Sequence, residues 1–173
     1  MAKFDYKADG TIPNLGWWDK TSAPQVGTLN PYARVEAETI AWTSRIKRDR
    51  DRTYAWTPGV TTAKDGHGAV YVTRTADRSY IKVAGVDFGS SGAKTFRASL
   101  ANGAPGASIE LRLDRVNGPV IGTLPVGETG AAKQWHEKTV AVAGATGIRD
   151  LYLVFRGGNA PSLVDFDSWR FDR

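Results

Sequence analysis

The sequence predicts an all-β protein, an antiparallel sandwich or barrel, and three observations carry that prediction. The 173 residues include 19 Gly, 8 Pro and 1 Met, with plentiful Val, Thr and aromatic residues, a composition that favours short strands joined by turns over packed helices. From Arg34 onward apolar and polar residues alternate with period two, the signature of half-buried strands. Gly-rich turns separate these stretches and no helical pattern intervenes. The length suits one buried core, so a single domain with an appended segment is expected rather than two domains.

In chain order, residues 1–33 hold Asp9-Gly10, Pro13, Gly16, Pro24, Gly27 and Pro31 without sustained alternation, and read as a linker or N-terminal extension. Trp17 and Trp18 lie within it. Two adjacent indoles in a free linker would expose much apolar surface, so the segment is expected to pack on the module at 34–173 or on a missing partner. The basic run Arg45 to Arg52 alternates as Arg48-Asp49-Arg50-Asp51-Arg52. Its own carboxylates cancel much of the field, so the formal charge of +5 does not indicate nucleic acid. Strands are then expected at Ala69–Arg74, Ser79–Val83 and Lys94–Leu100. Ile109, Leu111 and Leu113 face one side of the next, with Glu110, Arg112 and Asp114 on the other. Val120–Val126, Trp135–Val142, Leu151–Arg156 and Leu163–Phe171 follow, the last containing Trp169. Alternation turns Tyr71 away from Val70 and Val72, outward beside Gly66 and Gly68. Glu36 and Glu38 lie two apart on a strand and share a face, which costs free energy unless a cation or a basic side chain compensates.

Several chemistries are absent from the sequence. There is no Cys, which removes disulfides, thiolate zinc sites and thiol nucleophiles together. No apolar run approaches the roughly 20 residues that span a bilayer, and Met1-Ala2-Lys3-Phe4-Asp5 lacks the apolar core of a signal peptide. His67 and His136, the only imidazoles, sit in neither a Gly-x-Ser-x-Gly nor a His-Glu-x-x-His context. Glycosidase chemistry needs two opposed carboxylates, and Glu36 and Glu38, neighbours on one strand, cannot flank a scissile bond. A binding protein without catalysis is expected, with no nucleic acid or membrane partner.

The string Asn30-Pro31-Tyr32-Ala33-Arg34-Val35-Glu36-Ala37-Glu38-Thr39-Ile40-Ala41-Trp42 resembles the opening of a family 6 carbohydrate-binding module. The likeness continues through Val70-Tyr71-Val72-Thr73, Gly85-Val86-Asp87-Phe88-Gly89, Ile109-Glu110-Leu111-Arg112-Leu113-Asp114 and Phe166-Asp167, and so spans about residues 30 to 173. Upstream, Ala8-Asp9-Gly10-Thr11-Ile12-Pro13 and Gln25-Val26-Gly27-Thr28-Leu29 resemble the segment that joins such modules to family 43 glycosidase domains, whose substrate is arabinoxylan. The resemblance implies a β jelly roll with two sugar sites, one in the loops at the sandwich rim and one on a concave sheet face. It implies that Tyr71 and Trp135 face each other across a rim cleft around one sugar ring, with Asp165 holding hydroxyls between them. Flat aromatics suit the C–H faces of a pyranose at small entropic cost; without the resemblance, Trp135 would read as a core aromatic. The resemblance also implies a structural calcium on Glu36, Glu38 and Asp167. Spacing alone supplies three hard oxygens where calcium takes six or more, so a surface pair bridged by Arg or Lys stays open.

The partners implied are plant cell-wall polysaccharide of the xylan or arabinoxylan class and the catalytic domain of the same parent chain. The module is expected to be a secreted monomer, and the chain a C-terminal piece that carries no signal peptide. Three departures from the family bear on binding. Asp165 stands where relatives often carry an amide, and a carboxylate only accepts and should repel uronic acids. Arg45 stands where relatives tend to have Gly, and the stretch Arg48 to His67 is longer and more charged than their loop, with Trp56 a further stacking surface. The alternative is a structural or docking domain of a family 43 glycosidase that has lost sugar binding.

Overall fold

The structure is a computed structural model that describes residues 8–9, 27–44, 47–48, 54–55, 59–128 and 134–173. Trp17, Trp18, Arg45 and Trp56, singled out above, lie outside the described residues. Among the described residues there is no helix, and the strands are β1 (Val35–Glu36), β2 (Trp42–Thr43), β3 (Lys47–Arg48), β4 (Tyr54–Ala55), β5 (Thr61–Lys64), β6 (Val70–Thr73), β7 (Tyr80–Asp87), β8 (Ala93–Ala101), β9 (Ser108–Leu113), β10 (Val120–Pro125), β11 (His136–Ala145), β12 (Ile148–Arg156) and β13 (Asp165–Asp172). Two antiparallel sheets form the sandwich. One runs β11-β8-β13-β6-β5, with β1 paired to β13, and the other runs β10-β9-β12-β7-β2; β3 and β4 pair separately. The eight alternating stretches read from the sequence are β6 to β13, within a few residues at each end. The expected all-β, antiparallel sandwich is the fold observed.

Alternation decides which faces meet. Ile81, Val83, Ile109, Leu111, Leu151, Leu153 and Phe155 from one sheet pack against Val72, Phe96, Leu100, Phe166, Trp169 and Phe171 from the other, all buried. Phe171 anchors the interior, its ring 4.9 Å from that of Phe96 and 5.0 Å from that of Phe88. Each fully buried Leu, Ile or Phe contributes about 1.5–3 kcal/mol from area removed from water. Trp169, 2% exposed, belongs to this core as its strand position implied.

Residues just before 34 pack on the sandwich: Leu29 bridges Val86, the Tyr32 hydroxyl donates to the Phe88 carbonyl at 2.7 Å, and the Phe171 amide donates to the Pro31 carbonyl. Glu36 and Glu38 do not share a strand. β1 ends at Glu36, and Ala37, fully buried, donates its N–H to the Asp167 carbonyl. The chain then turns, with Thr39 N–H donating to the Glu36 carbonyl, so the two glutamates leave the backbone in different settings.

Candidate functional site

Four strands bring the rim residues together. Asp165 opens β13 opposite Ala101, and Trp135 lies one residue before the His136–Leu100 pair on β11 and β8. Tyr71 and Thr73 project from β6, which pairs with β13 at Val72 and Phe166. The sheet therefore gathers Tyr71, Trp135 and Asp165, residues far apart in sequence, at one end of one face.

Their arrangement departs from the expected cleft. The Tyr71 and Trp135 rings are 5.5 Å apart and inclined at 70°, edge against face. A sugar ring held between two aromatics needs two van der Waals contacts, roughly 7–8 Å between planes, so no ring fits between these. Alternation does turn Tyr71 off the core, but Trp135 folds over it and leaves it only 9% exposed, because two large rings side by side at a rim hide more apolar area together than apart. Trp135 itself is half-buried. Asp165 is 6% exposed, as is fitting for a residue level with the fully buried Ala101. Its Oδ1 accepts from the Thr73 hydroxyl, and its Oδ2 accepts from Asn102 Nδ2 at 2.7 Å. Both carboxylate oxygens thus face protein donors, and Asp165 does not stand between the aromatic planes.

Trp135 also closes one end of a groove of about 390 Å³ on the outer face of the six-stranded sheet, bounded by Arg34, Arg97, Glu137 and Arg170. Pairing lays out its floor: Ser99 lies between Glu137 and Ser168, and Arg97 lies between Thr139 and Arg170. The charges are matched. Arg97 bonds Asp172 and, at 3.0 Å, Glu137, and Arg34 holds Glu36 at 2.9 Å and Asp167 at 3.0 Å. A groove with hydroxyls on its floor and neutralised walls suits a neutral polyhydroxyl ligand better than a polyanion.

The expected metal ligands do not form a closed cluster. Arg34 grips both oxygens of Glu36 through Nε and an Nη, and the same Nη reaches Asp167, so a guanidinium occupies the space between two of the three carboxylates. No group of three or more potential ligands is gathered among the described residues. Glu38 is the exception to this satisfied network, because its Oε2 is buried without a hydrogen-bond partner. A buried carboxylate oxygen in that state is costly, and a cation is one of the few groups that would satisfy it.

A two-sheet antiparallel sandwich with an aromatic pair at its rim and a hydroxyl-floored groove beside it has the form of a carbohydrate-binding module. The family model "Carbohydrate binding module (family 6)" matches residues 51–173, and the chain belongs to that family. An arabinoxylan arabinofuranohydrolase of Paenibacillus polymyxa is 38% identical over 170 residues, 98% of this chain and 25% of that protein. The crystal structure of a glycoside hydrolase family 43 arabinoxylan arabinofuranohydrolase from Bacillus subtilis, in complex with cellotetraose, superposes with a TM-score of 0.81 at 36% identity, over 99% of this chain and 33% of that one. A family 6 module from Clostridium cellulolyticum in complex with xylose matches with a TM-score of 0.71 at 31% identity, covering 84% of this chain and all of that one (100%). The chain thus spans between a quarter and a third of the hydrolases it resembles.

Residue reading missed the partners of Asp165. Thr73 carried a signal, since it shares the outward parity of Tyr71. Asn102 carried only a turn signal, Asn102-Gly103 after a strand. The groove residues Arg97, Ser99 and Ser168 looked like any solvated strand face.

Proposed function

We propose that the chain is a non-catalytic module that holds a parent glycoside hydrolase on plant cell-wall polysaccharide of the xylan or arabinoxylan class, outside the cell, as a monomer. One observation carries this reading: Trp135, fixed edge-on by Tyr71, stands half-exposed where the rim meets the groove. In this reading a pyranose stacks on the indole and the chain continues toward Ser99 and Ser168, while Tyr71 acts as a buttress rather than a second platform. The xylose complex of one relative and the arabinoxylan activity of others support the sugar class. Affinity is expected to be weak, because an open surface touching few rings buries little area and must offset the ordering of the chain.

Calcium belongs to the same proposal. Glu36, Glu38 and Asp167 offer the hard oxygens calcium takes, Glu38 Oε2 has no other partner, and binding would require Arg34 to release Asp167. A second reading, docking on the catalytic domain, draws on Trp42, which is 62% exposed and pairs with β7 as Leu29 does.

Affinity electrophoresis against soluble polysaccharides separates the readings. Wild-type protein should be retarded by arabinoxylan, Trp135→Ala should not, and neither should release reducing sugar. Retardation that survives in Trp135→Ala would sink the Trp135 site. Absence of retardation by every polysaccharide would favour docking, and sugar release that survives repurification would overturn the non-catalytic reading.

A further inference from the structure

The hydrogen bond between Asn102 and Asp165 settles the orientation of an exposed amide. An ionised carboxylate only accepts, so the group that meets Asp165 Oδ2 at 2.7 Å must be the Asn102 NH2. The flipped amide would set a carbonyl oxygen against the carboxylate. Asn102 Oδ1 and its second N–H are thereby turned away from Asp165, and the residue is exposed. Asn102 follows Ala101, which pairs with Asp165 on one side, while the preceding Leu100 pairs with His136, next to Trp135, on the other. The amide is therefore carried at the same end of the sheet as the indole.

Its backbone is held firmly. Asn102 has φ of +50°, a left-handed conformation that Asn tolerates better than most residues. The next residue, Gly103, packs so closely that a Cβ there would lie 2.1 Å from the Gly127 carbonyl oxygen. Beyond it, Ala104 N–H donates to the Leu163 carbonyl. An amide on a clamped turn, oriented by a buried carboxylate that Thr73 also holds, is positioned before any ligand arrives, which is what selective hydroxyl recognition requires.

We infer that Asn102 is the hydroxyl-reading group of the rim, offering one donor and one acceptor to neighbouring hydroxyls of a neutral sugar stacked on Trp135, and that Asp165 is its positioning residue. This rests on the proposed role of Trp135. It also accounts for the carboxylate at 165: the amide expected there is present one strand away, and Asp165 aims it.

Isothermal titration with xylohexaose, paired with melting curves, tests the inference. Asn102→Ala should weaken binding about tenfold, the loss of one or two hydrogen bonds, in a protein that stays folded at the titration temperature although its melting temperature falls, because alanine is strained at φ of +50° and Asp165 Oδ2 loses its donor. Asp165→Asn should bind as wild type, because an amide oxygen at 165 can still accept from Asn102. Asp165→Ala should weaken binding as much as Asn102→Ala, and the double variant no further. If Asp165→Ala fails to fold, Asn102→Ala and Asp165→Asn still decide. Wild-type affinity in Asn102→Ala, with binding lost in Trp135→Ala, overturns the role of Asn102 and leaves the Trp135 site standing. Wild-type affinity in Trp135→Ala, or no binding by wild type, overturns that site as well.

Discussion

At the scale of single residues, the proposed site gives Tyr71 and Trp135 unequal parts. Edge-to-face contact at 5.5 Å restrains the indole, and a phenyl ring at position 71 would keep that contact. Tyr71→Phe should therefore leave binding to arabinoxylan unchanged, whereas Tyr71→Ala should weaken it several-fold by freeing Trp135; equal loss in both would give the hydroxyl a direct role. The family resemblance singled out Tyr71, Trp135 and Asp165, which the structure gathers at one end of a sheet, whereas the outward, open setting that alternation suggested for Tyr71 gives way to burial. What they touch was not legible. Period-two parity gives the side of a sheet and says nothing of the distance between side chains on different strands. Asn102 escaped because its partner lies 63 positions away, and the burial of Asp165 escaped because it comes from its place opposite Ala101 on β8, with Thr73 and Asn102 on its two oxygens.

At the scale of elements, β6 to β13 were legible because each carries enough alternation to reveal a buried face. β5 and β2 were not, and β1 was read too long, through Glu38. Thr61-Thr62-Ala63-Lys64 is an edge strand with no large apolar residue, and β1 and β2 are two residues each, so tertiary pairing alone makes them strands. The pairing of β7 with β12 shows how a bulge in a strand pair is held by charge. Asp150 accepts from Lys82 Nζ at 2.7 Å and from the backbone N–H of Gly85, which sits at φ of +62°. Burial works against the Asp150 carboxylate, but the bonds from Lys82 and Gly85 outweigh it and hold its pKa below the ordinary 3.8. The bond to Asp150 raises Lys82 above 10.5. A lowered acid contributes stability above its unfolded pKa and loses it as pH falls through the folded value; a raised base contributes below its unfolded pKa and loses it as pH rises through the folded one. Asp150→Asn should accordingly lower the melting temperature between about pH 4 and pH 10 and converge with wild type near pH 2. A constant difference at every pH would assign the effect to packing instead.

The seam of β1 and β13 makes the parallel case for calcium. If Glu38 and Asp167 hold the ion, calcium should raise the melting temperature over a chelator-treated sample, since only the native state gathers the ligands. Identical curves, with no ion found by elemental analysis, would leave Arg34 as the sole link between Glu36 and Asp167.

At the scale of the whole molecule, one sandwich core organises everything described, and Leu29, Pro31 and Tyr32 are N-terminal residues seen to bond to it among the described residues. Deleting residues 1–26 should leave a cooperative melting transition, and deleting 1–33 should lower its midpoint by removing the Leu29, Pro31 and Tyr32 contacts; equal midpoints would show those contacts to be idle. The central claim is that sugar binds at Trp135 and not at the core Trp169 or the exposed Trp42 on the opposite sheet. Titration of isotope-labelled protein with xylohexaose, following indole N–H resonances assigned by Trp→Phe variants, tests it most directly. The account predicts a saturable shift of the Trp135 resonance with Trp42 and Trp169 unmoved. A shift at Trp42 with Trp135 silent, or no shift at any indole, would contradict it.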